Sequence, residues 1–297
     1  MTRLADLADL VRAPAALSVP GDVLSGAAAA GALGPRTPAL AGASVLLYWA
    51  GMAANDWADR RLDAVERPER PIPSGRVRPS VALGVASGLT AAGLAVATAA
   101  GGRRAAAVAL PLAATIWGYD LRAKNTAAGP AVMAACRGLD VLLGASGGRV
   151  VRALPAALTV AAHTWTVTAL SHREVTGADR RLPGLTLAGT ALIALATPAR
   201  PTQPATGRGG SSRAARLGDL VPAVLAAGYA TRYGRAQARV LADPSPGRVR
   251  AAVGAGITGL PALQGALTAR AGARMLGLAV AGAAPLGRRL ARLISPT

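Results

Sequence analysis

The residues best suited to chemistry lie in one polar stretch, residues 55–76, which separates two long apolar segments. This stretch holds five of the chain's fourteen acidic residues. If it continues the preceding helix, Asp56, Asp59 and Asp63 stand at positions i, i+3 and i+7, on one helix face. Three carboxylates on one face repel each other unless a cation neutralises them. Such hard oxygen ligands favour Mg²⁺, which usually binds a few carboxylates together with waters and substrate phosphates.

The same stretch has a simpler interpretation as a charged helix end that reaches the membrane surface. In either case its prolines end the helix, because proline lacks a backbone N–H and disfavours the helical conformation of the preceding residue. These prolines are Pro68, Pro71 and Pro73. The sequence therefore predicts a rigid, extended loop, which Ser74 and Gly75 complete as a turn.

The composition and the apolar segments predict a membrane protein. The 297 residues are 52% hydrophobic and 16% charged, with a mean hydropathy of +0.37, whereas soluble domains carry about 25% charged residues. Because roughly 17–25 apolar residues can span a bilayer, we expect an all-α bundle of nine or ten transmembrane helices in a single domain, 1–297. The predicted segments are 14–34, 38–54, 80–100, 105–119, 127–147, 153–170, 182–198, 215–231 and 249–290, the last broken near 269–274. The polar insertion 199–214 is expected to be a flexible loop.

The net charge of +19 could indicate a nucleic-acid partner. Proteins that bind nucleic acids cluster their basic residues on one soluble face, often with stacking aromatic side chains. Here the arginines separate apolar segments and aromatic residues are 3% of the chain, so we expect a lipid bilayer and no nucleic acid. The basic residues favour one side of the alternating segments, and the positive-inside rule then predicts a cytoplasmic N-terminus and acidic stretch. The lone Cys136 excludes a disulfide framework, and we expect no removable signal peptide.

Two further polar stretches are predicted on the cytoplasmic side. The first begins at Tyr119 and includes Lys124, the chain's one lysine. A compact ammonium can bind a phosphate as a point charge, although a chance lysine at a helix end would look the same. The second includes Glu174 and Asp179, which could hold a second divalent ion, with Arg173 nearby for a phosphate. Loops at membrane surfaces often carry the same residue types.

Other ionisable residues fall within the predicted membrane helices, where such residues are candidates for function. Asp22 would lie deep in the first membrane segment, where a carboxylate needs a polar cavity or a partner. Arg137 and Asp140 lie three residues apart and could pair with each other across one helical turn. His163 is expected to be a hydrogen-bonded helix residue, because no other histidine or cysteine is spaced to share a metal ion with it.

The pattern NDxxDxxxD, which begins at Asn55, resembles the first signature of the UbiA superfamily of membrane prenyltransferases. As in that family, it is followed by Arg67 and by an RPxxSG-like loop, residues 70–75. Tyr119 together with Lys124 resembles the element that follows the family's fourth helix. The resemblance implies a helical bundle around a central cavity, with the acidic motifs over its cytoplasmic mouth.

The stretch 171–179 stands where the family carries its second aspartate-rich motif, but Ser171 and Glu174 occupy positions where aspartate is usual. Glutamate can replace aspartate as a ligand, whereas serine is a poor substitute. The resemblance implies the metal ligands Asn55, Asp56, Asp59, Asp63, Glu174 and Asp179, and diphosphate contacts from Arg67 and Lys124, which Arg173 would join. The implied catalytic set is Asp56, Asp59, Asp63, Tyr119 and Lys124.

The resemblance also implies Mg²⁺-dependent transfer of an isoprenyl group from its diphosphate to a small acceptor, with aromatic acceptors such as 4-hydroxybenzoate among the options. Metal ions would neutralise the departing diphosphate, and a dry cavity would protect the allylic carbocation from water. The end of the chain resembles the UbiA-like or EboC-like branch, found beside secondary-metabolite genes. The Ala-, Arg- and Gly-rich, Lys- and Phe-poor composition suggests a GC-rich bacterial genome, so we expect the protein in a bacterial cell membrane. The alternative is a transporter or scaffold that binds a lipid or diphosphate without chemistry, and the oligomeric state stays open.

Overall fold

A computed structural model describes residues 3–197 and 220–283 of the chain. Within these two ranges every regular element is helical, as the predicted all-α bundle requires. The predicted loop 199–214, the start of the segment 215–231 and the end of the segment 249–290 lie outside the described residues.

Each predicted apolar segment contains at least part of a described helix, although α1 precedes the first segment and α3 and α8 extend beyond theirs. Three of them, α3, α4 with the turn after it, and α6, are long and apolar enough to cross a membrane by length and composition. The number of spans stays a prediction. The elements are α1 (Leu4–Leu10), a 3₁₀ turn (Ala13–Ser18), α2 (Pro20–Ala30), α3 (Thr37–Glu66), α4 (Pro79–Gly118), a π turn (Tyr119–Ala123), α5 (Gly129–Ala145), α6 (Val150–Ser171), α7 (Arg181–Ala196), α8 (Val221–Ala242), α9 (Pro246–Arg270) and α10 (Arg274–Ala283).

Helix α4 is broken at Gly102, which has a φ of 63° and a ψ of −153°. Glycine adopts this conformation easily because it has no Cβ. The break lies between the predicted segments 80–100 and 105–119. The indole Nε1 of Trp117 on the second part donates a hydrogen bond to Thr90 Oγ1 on the first, at 3.1 Å. The two parts therefore lie side by side, and the chain returns to the end of the bundle where α4 began.

Small residues let the central helices approach each other closely. A Cβ added to Gly26 on α2 would overlap the backbone carbonyl of Val141 on α5. A Cβ on Gly144 of α5 would likewise overlap the carbonyl of Val23 on α2. Close backbone contacts of this kind hold membrane helices together. Lipid tails are as apolar as large side chains, so helix association depends on tight van der Waals packing instead. The glycine- and alanine-rich composition therefore favours tight packing between α2 and α5.

The acidic stretch lies at one end of the bundle because α3 is longer than a membrane is thick. Its 30 residues extend about 45 Å, compared with a hydrocarbon core of about 30 Å. The proline-rich loop then turns back, with the Val77 N–H donating to the Pro71 carbonyl at 2.8 Å. Ile72 and Val77 are buried and anchor this loop. The predicted rigid loop thus places its basic residues over the last turns of α3.

Candidate active site

The acidic face of α3 is paired with basic side chains from before and after it in the chain. Asp56 and Asp63 are buried, with 3% and 2% of their surface exposed. Arg70 on the proline-rich loop donates from Nη1 to Asp63 Oδ2 at 2.7 Å and to Asp56 Oδ1 at 3.4 Å. Arg12 Nη2 also donates to Asp56 Oδ1, at 3.0 Å. Two buried carboxylates are therefore held close together by two guanidinium groups.

The third carboxylate of this face, Asp59, contacts the lone lysine. Lys124 Nζ lies 2.6 Å from Asp59 Oδ1, and both side chains are mostly buried. The π turn just before Lys124 also brings Asp120 against α3, where Asn55 Nδ2 donates to Asp120 Oδ1 at 3.0 Å. Single π turns of this kind are frequent at functional sites. The first and second predicted stretches therefore form one cluster.

The second acidic stretch lies at the same end of the bundle. Glu174 is half-buried, and burial raises the pKa of its carboxyl, while the positive charges of Arg250 and Arg67 oppose the shift. The charge of Arg67, at the end of α3, thus acts on the second acidic stretch. Arg173 is exposed, and the described residues show no hydrogen bond or ion pair from its side chain. Asp179 is also exposed, and its Oδ1 accepts a hydrogen bond from the backbone N–H of Leu182 at the start of α7, at 2.9 Å.

Below the acidic cluster lies a cavity of about 150 Å³ enclosed mainly by α3, α4 and α5. Tyr119 and Asp120 line it at the end nearest the cluster, because Asp120 also contacts Asn55. Most of the wall is apolar. The lining residues are Val19, Ser44, Leu47, Tyr48, Gly51, Met52, Leu112, Ile116, Tyr119, Asp120, Met133, Cys136, Arg137 and Asp140.

The far end of the cavity carries a buried polar network. Arg137 Nε lies 2.8 Å from Asp22 Oδ2, and Gln264 Nε2 donates to Asp22 Oδ1 at 2.6 Å. Asp140 Oδ2 accepts a hydrogen bond from Ser44 Oγ at 2.7 Å. Asp22 therefore has the partners that its depth requires. The expectation that Arg137 pairs with Asp140 is wrong, because the close approach of α2 brings the Asp22 carboxylate to the guanidinium instead.

His163 lies outside this network and behaves as expected of a helix residue. Its Nδ1 lies 2.9 Å from the hydroxyl oxygen of Tyr229 on α8, at hydrogen-bond distance.

The acidic cluster offers oxygen ligands of the kind that Mg²⁺ binds. Its geometry shows which carboxylate contacts must open before the ion can bind. In the described ranges, no three or more Asp, Glu, His or Cys side chains converge in a way that could hold a metal ion. Each carboxylate of the α3 face instead contacts a basic side chain. Mg²⁺ needs only one or two carboxylates when waters and substrate phosphates complete its shell. The cluster therefore suits an ion that arrives with an anionic substrate, and the individual ligands stay predictions.

Three functional candidates were missed from the sequence. Arg12 lies 44 residues before its partner Asp56, so no local pattern connects the two. Arg70 belongs to the RPxxSG-like loop, but nothing in its spacing predicts that it bridges Asp56 and Asp63. Asp120 directly follows Tyr119, and its burial beside Asn55 depends on the π turn, which the sequence does not predict.

These features define a class of protein: a helical membrane protein with an acidic and basic cluster at the mouth of an apolar cavity. The model of the UbiA prenyltransferase family matches residues 21–196, more than half of the chain. The protein therefore belongs to the UbiA prenyltransferase family. This confirms the predicted family and the predicted enzyme class at the level of that family.

Relatives with assigned activities match shorter segments. Digeranylgeranylglyceryl phosphate synthase of Methanothrix thermoacetophila is 55% identical over 49 residues, which are 16% of this chain and 18% of that protein. The synthase of the same name from Natronomonas pharaonis is 44% identical over 85 residues, 28% of this chain and 31% of its own. The bacteriochlorophyll synthase 33 kDa chain of Cereibacter sphaeroides is 46% identical over 54 residues, 18% of each chain. The chain thus aligns with less than a third of each of these relatives, and none of the three carries a 4-hydroxybenzoate transferase name.

A solved structure shows the same fold over nearly the whole chain. It comes from work on digeranylgeranylglyceryl phosphate synthase in membranes, and it superposes with a TM-score of 0.66 at 16% identity. The superposition covers 91% of this chain and 99% of that one. The described helices of this protein therefore adopt the fold of a membrane prenyltransferase.

Proposed function

We propose that the protein transfers an isoprenyl group from an isoprenyl diphosphate to a small acceptor, with Mg²⁺ and with its active site facing the cytoplasm. The observation that supports this most is the charge arrangement at the cavity mouth. There the carboxylates of Asp56, Asp59 and Asp63 are balanced by Arg12, Arg70 and Lys124. Below them lies a mostly apolar cavity, large enough for the part of an isoprenyl chain nearest its diphosphate.

The balance of charge explains why the donor and the metal ion would bind together. A diphosphate alone would meet three carboxylates, and a divalent ion alone would meet three cations. When both bind, Arg70 and Lys124 can turn from the carboxylates to the diphosphate oxygens, where charge-assisted hydrogen bonds are strong. Asp56, Asp59 and Asp63, with Asn55, would then hold Mg²⁺. Bound Mg²⁺ would neutralise negative charge on the diphosphate.

The proposed reaction begins when the bond between the allylic carbon and the diphosphate oxygen breaks and its electron pair leaves with the diphosphate. Once they have turned to the diphosphate, Lys124 and Arg70 stabilise the departing charge, and this stabilisation is larger in a site that excludes water. Tyr119 lines the cavity at its mouth, and its aromatic face can stabilise a nearby cation. The apolar wall keeps water from the carbocation until the acceptor attacks.

The acceptor must bring an electron-rich oxygen or carbon to the allylic carbon and must then lose a proton. Two carboxylates line the cavity, and Asp120 is the one placed to take that proton because it lies at the mouth beside Tyr119, whereas Asp140 lies at the far end. The name of the digeranylgeranylglyceryl phosphate synthases favours a geranylgeranyl donor and an alcohol acceptor, while the family resemblance also allows an aromatic acceptor. We therefore propose a small alcohol or an aromatic ring as the acceptor class.

The test is direct binding of geranyl, farnesyl and geranylgeranyl diphosphate to the purified protein, with Mg²⁺ and with EDTA. We expect Mg²⁺-dependent binding that Asp59→Ala abolishes. Glu66→Gln is the matched control, because Glu66 is an exposed acid on the same helix. Failure of all three diphosphates to bind, with intact helical content by circular dichroism, would remove the prenyl-donor proposal.

A second candidate function is binding of a diphosphate lipid without chemistry, as a transporter or scaffold. It is favoured by the second acidic stretch, where Ser171 replaces an expected aspartate and Asp179 accepts a hydrogen bond from the α7 backbone. Under this alternative the donor binds with Mg²⁺, but no diphosphate is released with any acceptor. Release of inorganic diphosphate during incubation with candidate acceptors distinguishes the two functions.

A further inference from the structure

The outer surface between α8 and α9 carries a basic groove that the proposed reaction does not use. Its volume is about 730 Å³. Four arginines line it, together with small residues that leave room for a ligand. The basic groove consists of Ala227, Gly228, Thr231, Arg232, Arg235, Ala236, Arg239, Arg248, Ala251 and Ala255.

The positive charge of this groove is poorly balanced. Among the described residues, Arg248 Nε lies 3.4 Å from Asp243 Oδ2. Arg232 donates to the hydroxyl of Thr258 at 2.9 Å. Arg235 and Arg239 are exposed, and no carboxylate of the described ranges forms an ion pair with either. The groove therefore carries a net positive charge that a bound anion would neutralise.

The groove faces away from the bundle. Arg232, Arg235 and Arg239 stand at i, i+3 and i+7, on one face of α8. A different face of α8 carries Tyr229 and Tyr233, which are fully buried against the rest of the bundle. In a membrane the arginine face would therefore meet lipid, and arginines there are stable only when paired or when they reach the interface.

The groove opens at the end of the bundle that carries the candidate active site. The turn between α8 and α9 is held to the second acidic stretch, with the Ala178 N–H donating to the Pro244 carbonyl at 3.0 Å. Arg250 Nη1 donates to the Glu174 carbonyl at 2.9 Å. Counted from the end of α8 at Ala242, Arg239 lies about 4.5 Å and Arg232 about 15 Å along the helix axis. The arginines thus follow the predicted membrane segment 215–231 and lie at the end of the bundle that carries the candidate active site.

We propose that the basic groove binds the headgroup of an anionic phospholipid. The phosphate lies between Arg239 and Arg248 near the surface, and Arg235 reaches it from below. An acyl chain runs past the small residues Ala227 and Gly228, where a larger side chain would block it. Each basic residue near an anionic membrane surface adds attraction, and guanidinium groups bind phosphate oxygens through paired hydrogen bonds.

The groove chemistry favours a phospholipid over the isoprenyl diphosphate donor. None of the described residues that line the groove is a carboxylate, and the nearby Asp243 already pairs with Arg248. The donor site on α3 instead presents the carboxylates of Asp56, Asp59 and Asp63. A single phosphodiester charge can be neutralised by arginines alone.

The test is lipid retention measured by native mass spectrometry after reconstitution in nanodiscs of equal parts phosphatidylglycerol and phosphatidylcholine. We expect the released protein to retain phosphatidylglycerol in preference. The variant Arg235→Gln/Arg239→Gln should reduce that retention by about tenfold, because two basic residues near the surface are lost. Arg235→Lys/Arg239→Lys should keep most of it, because the charge remains.

The matched control is Arg103→Gln/Arg104→Gln, which removes two exposed arginines from the turn at the break in α4. Equal retention of phosphatidylglycerol by the groove variant and this control would overturn the proposal, provided both elute as monodisperse, helical proteins. Equal retention of the two lipids by the unmodified protein would also overturn it. Displacement of phosphatidylglycerol by geranylgeranyl diphosphate in EDTA would assign the groove to the donor instead.

Discussion

The contact between Lys124 and Asp59 gives the sharpest test of the site. Lys124 Nζ and Asp59 Oδ1 are 2.6 Å apart, with 12% and 20% of the two side chains exposed. At an effective dielectric constant of about 20, their gross attraction is about 6 kcal/mol, and the loss of hydration by both groups offsets much of it. In the variant Lys124→Gln, Asp59 loses its cation, while the donor loses a cationic contact.

We therefore expect two affinities to move in opposite directions. Donor affinity should fall by about 10- to 100-fold, because a hydrogen bond to a charged group is worth about 1.5–3 kcal/mol. Mg²⁺ affinity without donor should rise, because Lys124 no longer competes for Asp59. Lys124→Arg should recover part of the donor affinity, because a planar guanidinium keeps the charge but not the point geometry.

Isothermal titration calorimetry of the purified protein measures both affinities, with Mg²⁺ alone and with geranylgeranyl diphosphate in the presence of Mg²⁺. Arg122→Gln is the control, because Arg122 is an exposed cation of the same turn. If Lys124→Gln behaved like Arg122→Gln in both titrations, the assignment of Lys124 to the diphosphate would be refuted. A fall in Mg²⁺ affinity alone would contradict the proposed competition for Asp59.

Three further predictions concern the stability of the fold, each measured by thermal unfolding in detergent. Arg70→Gln should lower stability by about 3 kcal/mol, because Asp56 and Asp63 stay buried without the positive charge of Arg70. Mg²⁺ should restore more stability to this variant than to the control Arg61→Gln, which changes an exposed arginine. Gly102→Ala should lower the stability of the folded protein by about 1–3 kcal/mol, because Gly102 has a backbone conformation that only glycine adopts readily. The control Gly88→Ala, inside α4, should be neutral or stabilising. Equal effects of the two substitutions would contradict a break at Gly102. Arg137→Met should lower the free energy of unfolding by about 3–5 kcal/mol, because it leaves Asp22 buried without its cation. Adding Asp22→Asn should recover part of that loss. No recovery would show that Arg137 acts through other contacts.

The helix-scale features of this protein could be predicted from its sequence because they depend on residues close together in the chain. The face formed by Asp56, Asp59 and Asp63 follows from the helical repeat alone. The loop after it follows from its prolines, whose backbone chemistry is independent of the rest of the protein. The apolar segments follow from composition, since only residues of that type can occupy the bilayer core.

The pairing of those features across helices required the tertiary structure. Asp22 meets Gln264 from 242 positions away, and Arg137 prefers Asp22 to Asp140, which stands one turn from it. These contacts depend on how closely the backbones approach, which glycines such as Gly26 and Gly144 decide. Sequence spacing therefore determined which charges share a helix face. The packing between helices decided which cation neutralises each carboxylate, because in a low-dielectric interior only a near neighbour can offset the loss of water around a buried charge.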